Sequence, residues 1–225
     1  MNYPSNQTAK TNKSAWINHV TFKKYNRHMK TIVCSLLVLC GFILKSQSSE
    51  LAFSKSYSFE YETQYAKAIT ALTDLHVDSY QINLRLGWLY YMNKDYVKSE
   101  QYYKKAIVLE PTSIEARFGV VLPQSTAGNW NSVLATYLEV VKLDPNNSTA
   151  NYRLASIYHT RKDYTNATTY VSRVLKLYPF DYDSNLLYGK ILMAQGKNAE
   201  AKKHFTKALE YNTVSEEAKA ALKKL

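Results

Sequence analysis

An internal repeat with a period of 34 residues constrains this fold more than any other feature of the sequence. Pro111, Pro145 and Pro179 are spaced by that interval. Sequences with such a repeat fold as stacks of similar units, each packing mainly on its neighbours. Three further columns keep the same register: Leu109, Leu143, Leu177 and Tyr211; Ala106, Val140, Val174 and Ala208; Tyr103, Tyr137, Val171 and Phe205.

Each period carries the patterns of two amphipathic helices. In the first unit these patterns predict helices over 80–92 and 96–109. Asp95, Asn129 and Asp163 precede the second helix of their units, where a short side-chain oxygen can accept from an unpaired backbone N–H. The chain has only 6 glycines and 5 prolines, which disfavours a turn-rich all-β fold. We therefore expect an all-α chain.

The repeat resembles the tetratricopeptide repeat family, whose pattern is W-x2-L-G-x2-Y…A-x3-F…P. The resemblance implies a right-handed α-solenoid of stacked antiparallel helix pairs. Its four units would cover 80–113, 114–147, 148–181 and 182–215. The first unit carries the pattern at Leu86, Gly87, Tyr90, Tyr103, Ala106 and Pro111.

The second unit departs most from the pattern. Val121 replaces the small residue, Gln124 replaces the aromatic residue, and Pro123 falls inside the expected first helix. A proline inside a helix removes one hydrogen bond and bends the chain. We interpret this bend chiefly as a change in packing, with a groove shaped for one ligand as the alternative hypothesis.

The segments that flank the four units have weaker patterns. Residues 57–79 match only the second helix of a unit, which predicts a half repeat. Residues 45–56 are polar and rich in serine, as is typical of a linker. Residues 216–225 predict a C-terminal capping helix, because acids at its start and lysines at its end suit the helix dipole.

The N-terminal region is predicted to export or anchor the chain. Residues 1–30 are basic, and an uncharged, mostly apolar run covers 31–44. The run is shorter than a typical membrane span and fits the apolar region of a signal peptide. An uncleaved signal anchor, a lipoprotein at Cys40 and a buried core helix are the alternatives, and Met29 is a candidate start. We expect a cell-envelope protein, exported to the periplasm or anchored in the membrane.

The net charge of +11 belongs mainly to this N-terminal region. Residues 1–45 contain seven of the 29 lysines and arginines and no acid. Residues 46–225 hold the remaining 22 basic residues and all 18 acids, a net charge of +4. A nearly balanced repeat region does not predict a nucleic-acid partner.

Motifs for catalysis are missing from the sequence. The five histidines are scattered, and none has a second ligand at metal-binding spacing. There is no phosphate-binding loop, dinucleotide-binding fingerprint or nucleophile elbow. Both cysteines, Cys34 and Cys40, lie in the apolar run. We predict that the chain is not an enzyme and uses no metal or cofactor.

The resemblance implies a surface for protein partners instead. In this family the first helix of each pair lines a concave groove, and the corresponding positions here are rich in aromatic and apolar side chains. Such patches often mark interaction surfaces. We expect three other aromatic residues, Trp130, Tyr103 and Tyr137, to pack between repeats and not to line the groove. The predicted groove positions are Leu84, Trp88, Tyr91, Met92, Phe118, Leu122, Thr126, Tyr152, Ser156, His159, Leu186, Lys190 and Met193.

These observations favour a non-catalytic adaptor or scaffold of the cell envelope that binds a protein or peptide in the groove. The alternative is a permanent structural subunit of an envelope secretion or assembly complex. A carrier or auxiliary role in glycan metabolism has precedent in the family but no supporting residue here.

Overall fold

A computed structural model describes residues 48–225. No strand occurs in this part of the chain. The first helix, α1, covers residues 48–61 of the described chain. The helices that follow α1 are α2 (Tyr65–Thr73), α3 (Tyr80–Met92), α4 (Tyr96–Leu109), α5 (Ile114–Thr126), α6 (Trp130–Leu143), α7 (Ser148–Thr160), α8 (Tyr164–Leu177), α9 (Tyr182–Ala194), α10 (Asn198–Tyr211) and α11 (Glu216–Leu222). The bounds of α3 and α4 are those predicted for the first unit.

Each helix from α2 onward packs against the next one along the chain. The first helices of successive pairs also meet, since α3 contacts α5 and α7 contacts α9. We call the surface formed by α1, α3, α5, α7 and α9 the first-helix face. This stack of helical hairpins is the α-solenoid that the 34-residue period predicts.

The basic region 1–30 and the apolar run 31–44 lie outside the described residues, so the export and anchor predictions are not addressed by the structure. Among residues 48–225, each helix is either too short or too polar to cross a bilayer.

The predicted linker over 45–56 is wrong for residues 48–56, which form most of α1. Ala52 and Ser56 are buried one helical turn apart, and Phe53 and Phe59 pack against the core that α2 and α3 share. Because these residues are spaced by about one or two helical turns, they give the serine-rich segment one apolar side. The segment predicted as a half repeat therefore has a first helix, and α1 and α2 form a pair.

Short polar side chains cap the helices at the period of the repeat. The predicted caps Asp95, Asn129 and Asp163 are confirmed, because each accepts from a backbone N–H three residues further on. Each cap satisfies a backbone donor that the helix itself leaves unpaired. The first helices begin in the same way, at Ser79, Ser113, Asn147, Asp181 and Ser215.

A buried side chain ties each turn between units to the helix that follows. Asn151 Nδ2 donates to the carbonyl oxygens of Pro145 at 2.9 Å and Asn147 at 2.8 Å. Asn185 makes the equivalent pair of bonds one period later. In the second unit Arg117 holds this position and donates to the Ser113 carbonyl. These bonds fix the turns because a buried side-chain amide needs hydrogen-bond partners.

The ring of Tyr103 separates neighbouring first helices. It projects from α4 and lies against Gly87 of α3 and Gly119 of α5. A Cβ at Gly87 would lie 2.7 Å from Cγ of the ring, and one at Gly119 would overlap the ring edge. Gly189 and Phe205 repeat this contact in the fourth unit. In the first and fourth units the small residue and the ring therefore set the distance between the helices.

Two substitutions in the second unit compensate for each other. In the first unit the rings of Tyr90 and Tyr102 stack with their centroids 5.1 Å apart, and the third unit repeats this pair. The second unit has Gln124 and Thr136 at these positions. Thr136 Oγ1 donates to Gln124 Oε1 at 3.1 Å in the buried interior. A hydrogen bond thus replaces a ring stack, and α5 continues through Pro123 to Thr126.

The packing prediction holds for Tyr103 and Tyr137, which are buried, but it is wrong for Trp130. Trp130 is 54% exposed. In the first and third units the aromatic residue at this position packs on a ring five residues earlier in the chain. In the second unit Ser125 stands there, so the indole has no ring to pack on.

We predict that Gly189→Ala destabilises the protein by about 1–3 kcal/mol, because the new methyl group would lie 2.6 Å from Phe205 Cε1. This cost should exceed the gain in helix propensity, which is about 1 kcal/mol. The free energy of unfolding can be measured by urea titration. The cost should fall by more than half in a Phe205→Leu background, and an unchanged cost there would contradict the close-contact explanation.

Candidate functional site

A hollow of the first-helix face lies between α1, α3 and α5. It has a volume of about 730 Å³. We call it the aromatic cavity, because half of its lining residues carry rings. They are Phe53, Tyr57, Tyr80, Gln81, Leu84, Arg85, Trp88, Tyr103, Glu115, Phe118, Gly119 and Leu122.

The structure brings four of the predicted groove residues together in this cavity: Leu84 and Trp88 from α3, and Phe118 and Leu122 from α5. Tyr91 lies beside them, with its ring centroid 6.1 Å from that of Trp88. These side chains are partly exposed. The first half of the face is therefore a continuous, mainly apolar surface.

The predicted residues of the second half do not join the aromatic cavity. Tyr152 lines a separate hollow of about 420 Å³, together with Arg153 and Asp183. Lys190 forms an ion pair with Glu217 at 2.5 Å. The remaining predicted residues Met92, Thr126, Ser156, His159 and Met193 are partly or fully exposed outside both hollows.

Leu186 does not offer surface to a partner. It is 6% exposed and belongs to the core cluster that includes Ala218 and Ala221 of α11. Because α11 covers Leu186, the prediction that Leu186 lines the groove is wrong.

Sequence reasoning missed the wall of the cavity that α1 provides. Phe53 and Tyr57 were assigned to a linker and to the edge of a half repeat, and Arg85, Glu115 and Tyr80 were not considered. The signal for α1 was the helical spacing of its apolar residues. The signal for the other three was their position on first helices, within about one helical turn of a predicted groove residue.

Glu60 of α1 fixes one side of the cavity. Its Oε1 accepts from Trp88 Nε1 at 2.5 Å, and its Oε2 forms an ion pair with Arg85. The Arg85 guanidinium lies 3.9 Å from the ring centroid of Tyr57, and its side chain is only 9% exposed. A cation can be buried here because a carboxylate and a ring face both stabilise it.

Two tyrosine hydroxyls of the cavity stay protonated at neutral pH. Burial raises the pKa of Tyr103, and the negative charge of Glu115 adds to this effect. Burial also raises the pKa of Tyr80, whose hydroxyl lies 2.8 Å from Ser113 Oγ and donates to Glu115 Oε2 at 3.2 Å. Both groups are therefore hydrogen-bond donors and not bases at neutral pH.

Within residues 48–225, no three histidine, cysteine or carboxylate side chains are grouped as a metal site would require.

Family models described as tetratricopeptide repeat match residues 81–113, 126–182 and 182–213. Together they span most of the four predicted units. One curated relative, "Tetratricopeptide repeat protein 21 homolog" from Caenorhabditis elegans, is 24% identical over 124 residues. The match covers 55% of this chain but only 9% of that protein's length.

Solved structures share the fold. A tetratricopeptide repeat protein from Parabacteroides merdae has a TM-score of 0.68 and 16% identity, covering 78% of this chain and 71% of that one. MamA from Desulfovibrio magneticus has a TM-score of 0.63 and 16% identity, covering 75% and 97%. At these identities the similarity shows the fold alone.

We predict that Glu60→Gln destabilises the protein by about 3 kcal/mol, because it leaves the buried Arg85 cation without its carboxylate. The matched control is Glu62→Gln on the surface, which should change the free energy of unfolding by less than about 0.5 kcal/mol. Thermal and urea unfolding measure both. Equal, small effects of the two substitutions would show that the ion pair does not hold α1 to α3.

We also predict that acid weakens the fold partly through His159. Burial lowers the pKa of His159 below its ordinary value of 6.5, and the nearby Lys190 lowers it further. The unfolded chain therefore binds this proton more readily than the folded chain does. Protonation of His159 leaves the free energy of unfolding unchanged above pH 6.5 and lowers it as the pH drops below that value. His159→Gln should reduce the loss of Tm between pH about 7.5 and about 5.5. The exposed His76→Gln is the control, and an equal loss of Tm in His159→Gln and wild type would contradict this account.

Proposed function

Because the chain belongs to the tetratricopeptide repeat family, we propose that it is a non-catalytic adaptor of the cell envelope that binds a segment of a partner protein on its first-helix face. The aromatic cavity is the observation that carries this proposal. Rings and aliphatic side chains from four helices meet there, around about 730 Å³ of open space.

The chemistry of the cavity supports a polypeptide occupant. Trp88, Phe118 and Leu122 are partly exposed, and covering apolar surface contributes roughly 25 cal/mol per Å² to binding. Tryptophan and tyrosine side chains often dominate the binding energy once a partner buries them. An extended segment or a helix could lie along the row of first helices and place side chains in the hollow.

The placement in the envelope rests on the sequence before residue 48. The basic residues that precede the apolar run 31–44 have the composition of an export signal or an anchor. The repeat region beyond it is nearly neutral, so we expect a protein partner and not a nucleic acid.

A permanent subunit of a larger envelope complex is the second candidate. A different surface favours it: Tyr178, Phe180, Tyr211 and Val214 are all more than half exposed, and the rings of Phe180 and Tyr211 lie 5.5 Å apart. An apolar patch at the turns of the last two units is typical of a lasting contact. An obligate subunit would migrate entirely in one large complex on native gels.

Position-specific photocrosslinking in the native host tests the adaptor proposal. Benzoylphenylalanine in place of Leu122 should give one defined protein adduct, because this residue lines the aromatic cavity. The matched control replaces Val97, which is 71% exposed on α4, the second helix of its pair. Fractionation of the same cells tests the location, with the envelope fraction expected.

The adduct from Leu122 should weaken strongly in a Trp88→Ala/Phe118→Ala background that retains the helical circular-dichroism spectrum. An adduct at Val97 but none at Leu122 would contradict binding on the first-helix face. Recovery in the soluble cytosolic fraction would contradict the envelope assignment.

A further inference from the structure

The aromatic cavity contains one negative charge that no cation of the described chain neutralises. Glu115 is exposed at the edge of the cavity, and the one side-chain hydrogen bond that it accepts from residues 48–225 comes from Tyr80. None of the ion pairs among residues 48–225 includes it. The positive charge of the cavity, Arg85, is already paired with Glu60. The unpaired charge offered to an occupant is therefore negative.

The rings around this carboxylate also favour a positive charge. The face of an aromatic ring attracts lysine and arginine side chains. Arg85 already lies over the Tyr57 ring at 3.9 Å, so this part of the cavity holds a cation against a ring. The rings of Tyr80, Trp88 and Phe118 line the rest of the space, and no cation from residues 48–225 lies over them.

The position of Glu115 in the first turn of α5 explains only part of its environment. An acid there stabilises the helix through its dipole by about 0.3–1 kcal/mol. Asp183 and Glu217 have the same position in later units, and Glu217 there is paired with Lys190. Glu115 differs from Glu217 because it borders an open hollow instead of a lysine.

We propose that the aromatic cavity binds a lysine or arginine side chain of the partner segment, with the cation beside Glu115 and the hydrocarbon stem against Leu84 and Leu122. The inference rests on the proposed function and specifies the chemistry of its partner. An acidic segment would meet the charge of Glu115 without a free cation to offset it. A purely apolar segment would cover the carboxylate without pairing it, which costs binding energy.

Selection from a random peptide display library on the immobilised full-length protein tests this inference. The variants are Glu115→Gln and, as a matched control, Glu210→Gln, which removes an exposed carboxylate on α10 away from the cavity. We expect peptides with a recurrent lysine or arginine to be enriched on wild type and on Glu210→Gln, and not on Glu115→Gln.

A synthetic copy of the most enriched peptide gives the size of the effect. Its affinity for Glu115→Gln should be about tenfold weaker than for wild type, and the wild-type affinity should fall as salt is added. Replacing its basic residue by norleucine should cause a similar loss on wild type and little further loss on Glu115→Gln. Binding should change the fluorescence of Trp88, measured in a Trp16→Phe/Trp130→Phe background in which Trp88 is the one remaining tryptophan.

The outcomes separate this inference from the proposed function. Enrichment of acidic or uncharged peptides, or of basic peptides that bind Glu115→Gln equally well, would overturn the inference and leave peptide binding intact. Enrichment of no peptide over an unrelated immobilised protein would contradict the proposed function together with the inference.

Discussion

The contact of the Tyr103 ring with two glycines determines the geometry on which the candidate site depends. The ring lies against Gly87 on α3 and Gly119 on α5, and so it sets the separation of two helices that line the aromatic cavity. The same ring also contributes to the lining of that cavity. A larger residue at either glycine would move one wall, and a smaller residue at Tyr103 would let the walls collapse. The aromatic position of the repeat pattern, Tyr103, thus helps to determine both the packing of the helices and the shape of the aromatic cavity.

The second unit shows how a repeat can depart from its pattern without losing its place in the stack. Its Gln124 and Thr136 exchange a stacked tyrosine pair for one buried hydrogen bond, and its Arg117 replaces the asparagine that ties the turn in other units. Each departure keeps the buried polar groups paired, as an interior requires. Because repeats interact mainly with their neighbours, such local compensation is sufficient for the whole solenoid.

The helices and caps of the four units could be predicted because they depend on residues a few positions apart. Asp95 identifies the start of α4 from its own sequence neighbours. The errors have different causes. Leu186 is buried because α11, a distant part of the chain, covers it, and Trp130 is exposed because Ser125, five residues earlier, offers it no ring. The cavity was only half predicted because the serine content of 48–56 hid the helix that supplies its other wall.

The attachment of α1 has a mechanical consequence. Phe53 and Tyr57 place this helix in the cavity wall. The Glu60 carboxylate joins it to α3, because it accepts a hydrogen bond from Trp88 and forms an ion pair with Arg85. The backbone of α1 is also the route by which residues 1–47 connect to the repeats. A pulling force on the chain upstream of residue 48 would therefore act directly on one side of the cavity, before it reached any other repeat. Tension in the N-terminal segment and occupancy of the cavity would then be coupled quantities, each able to alter the other.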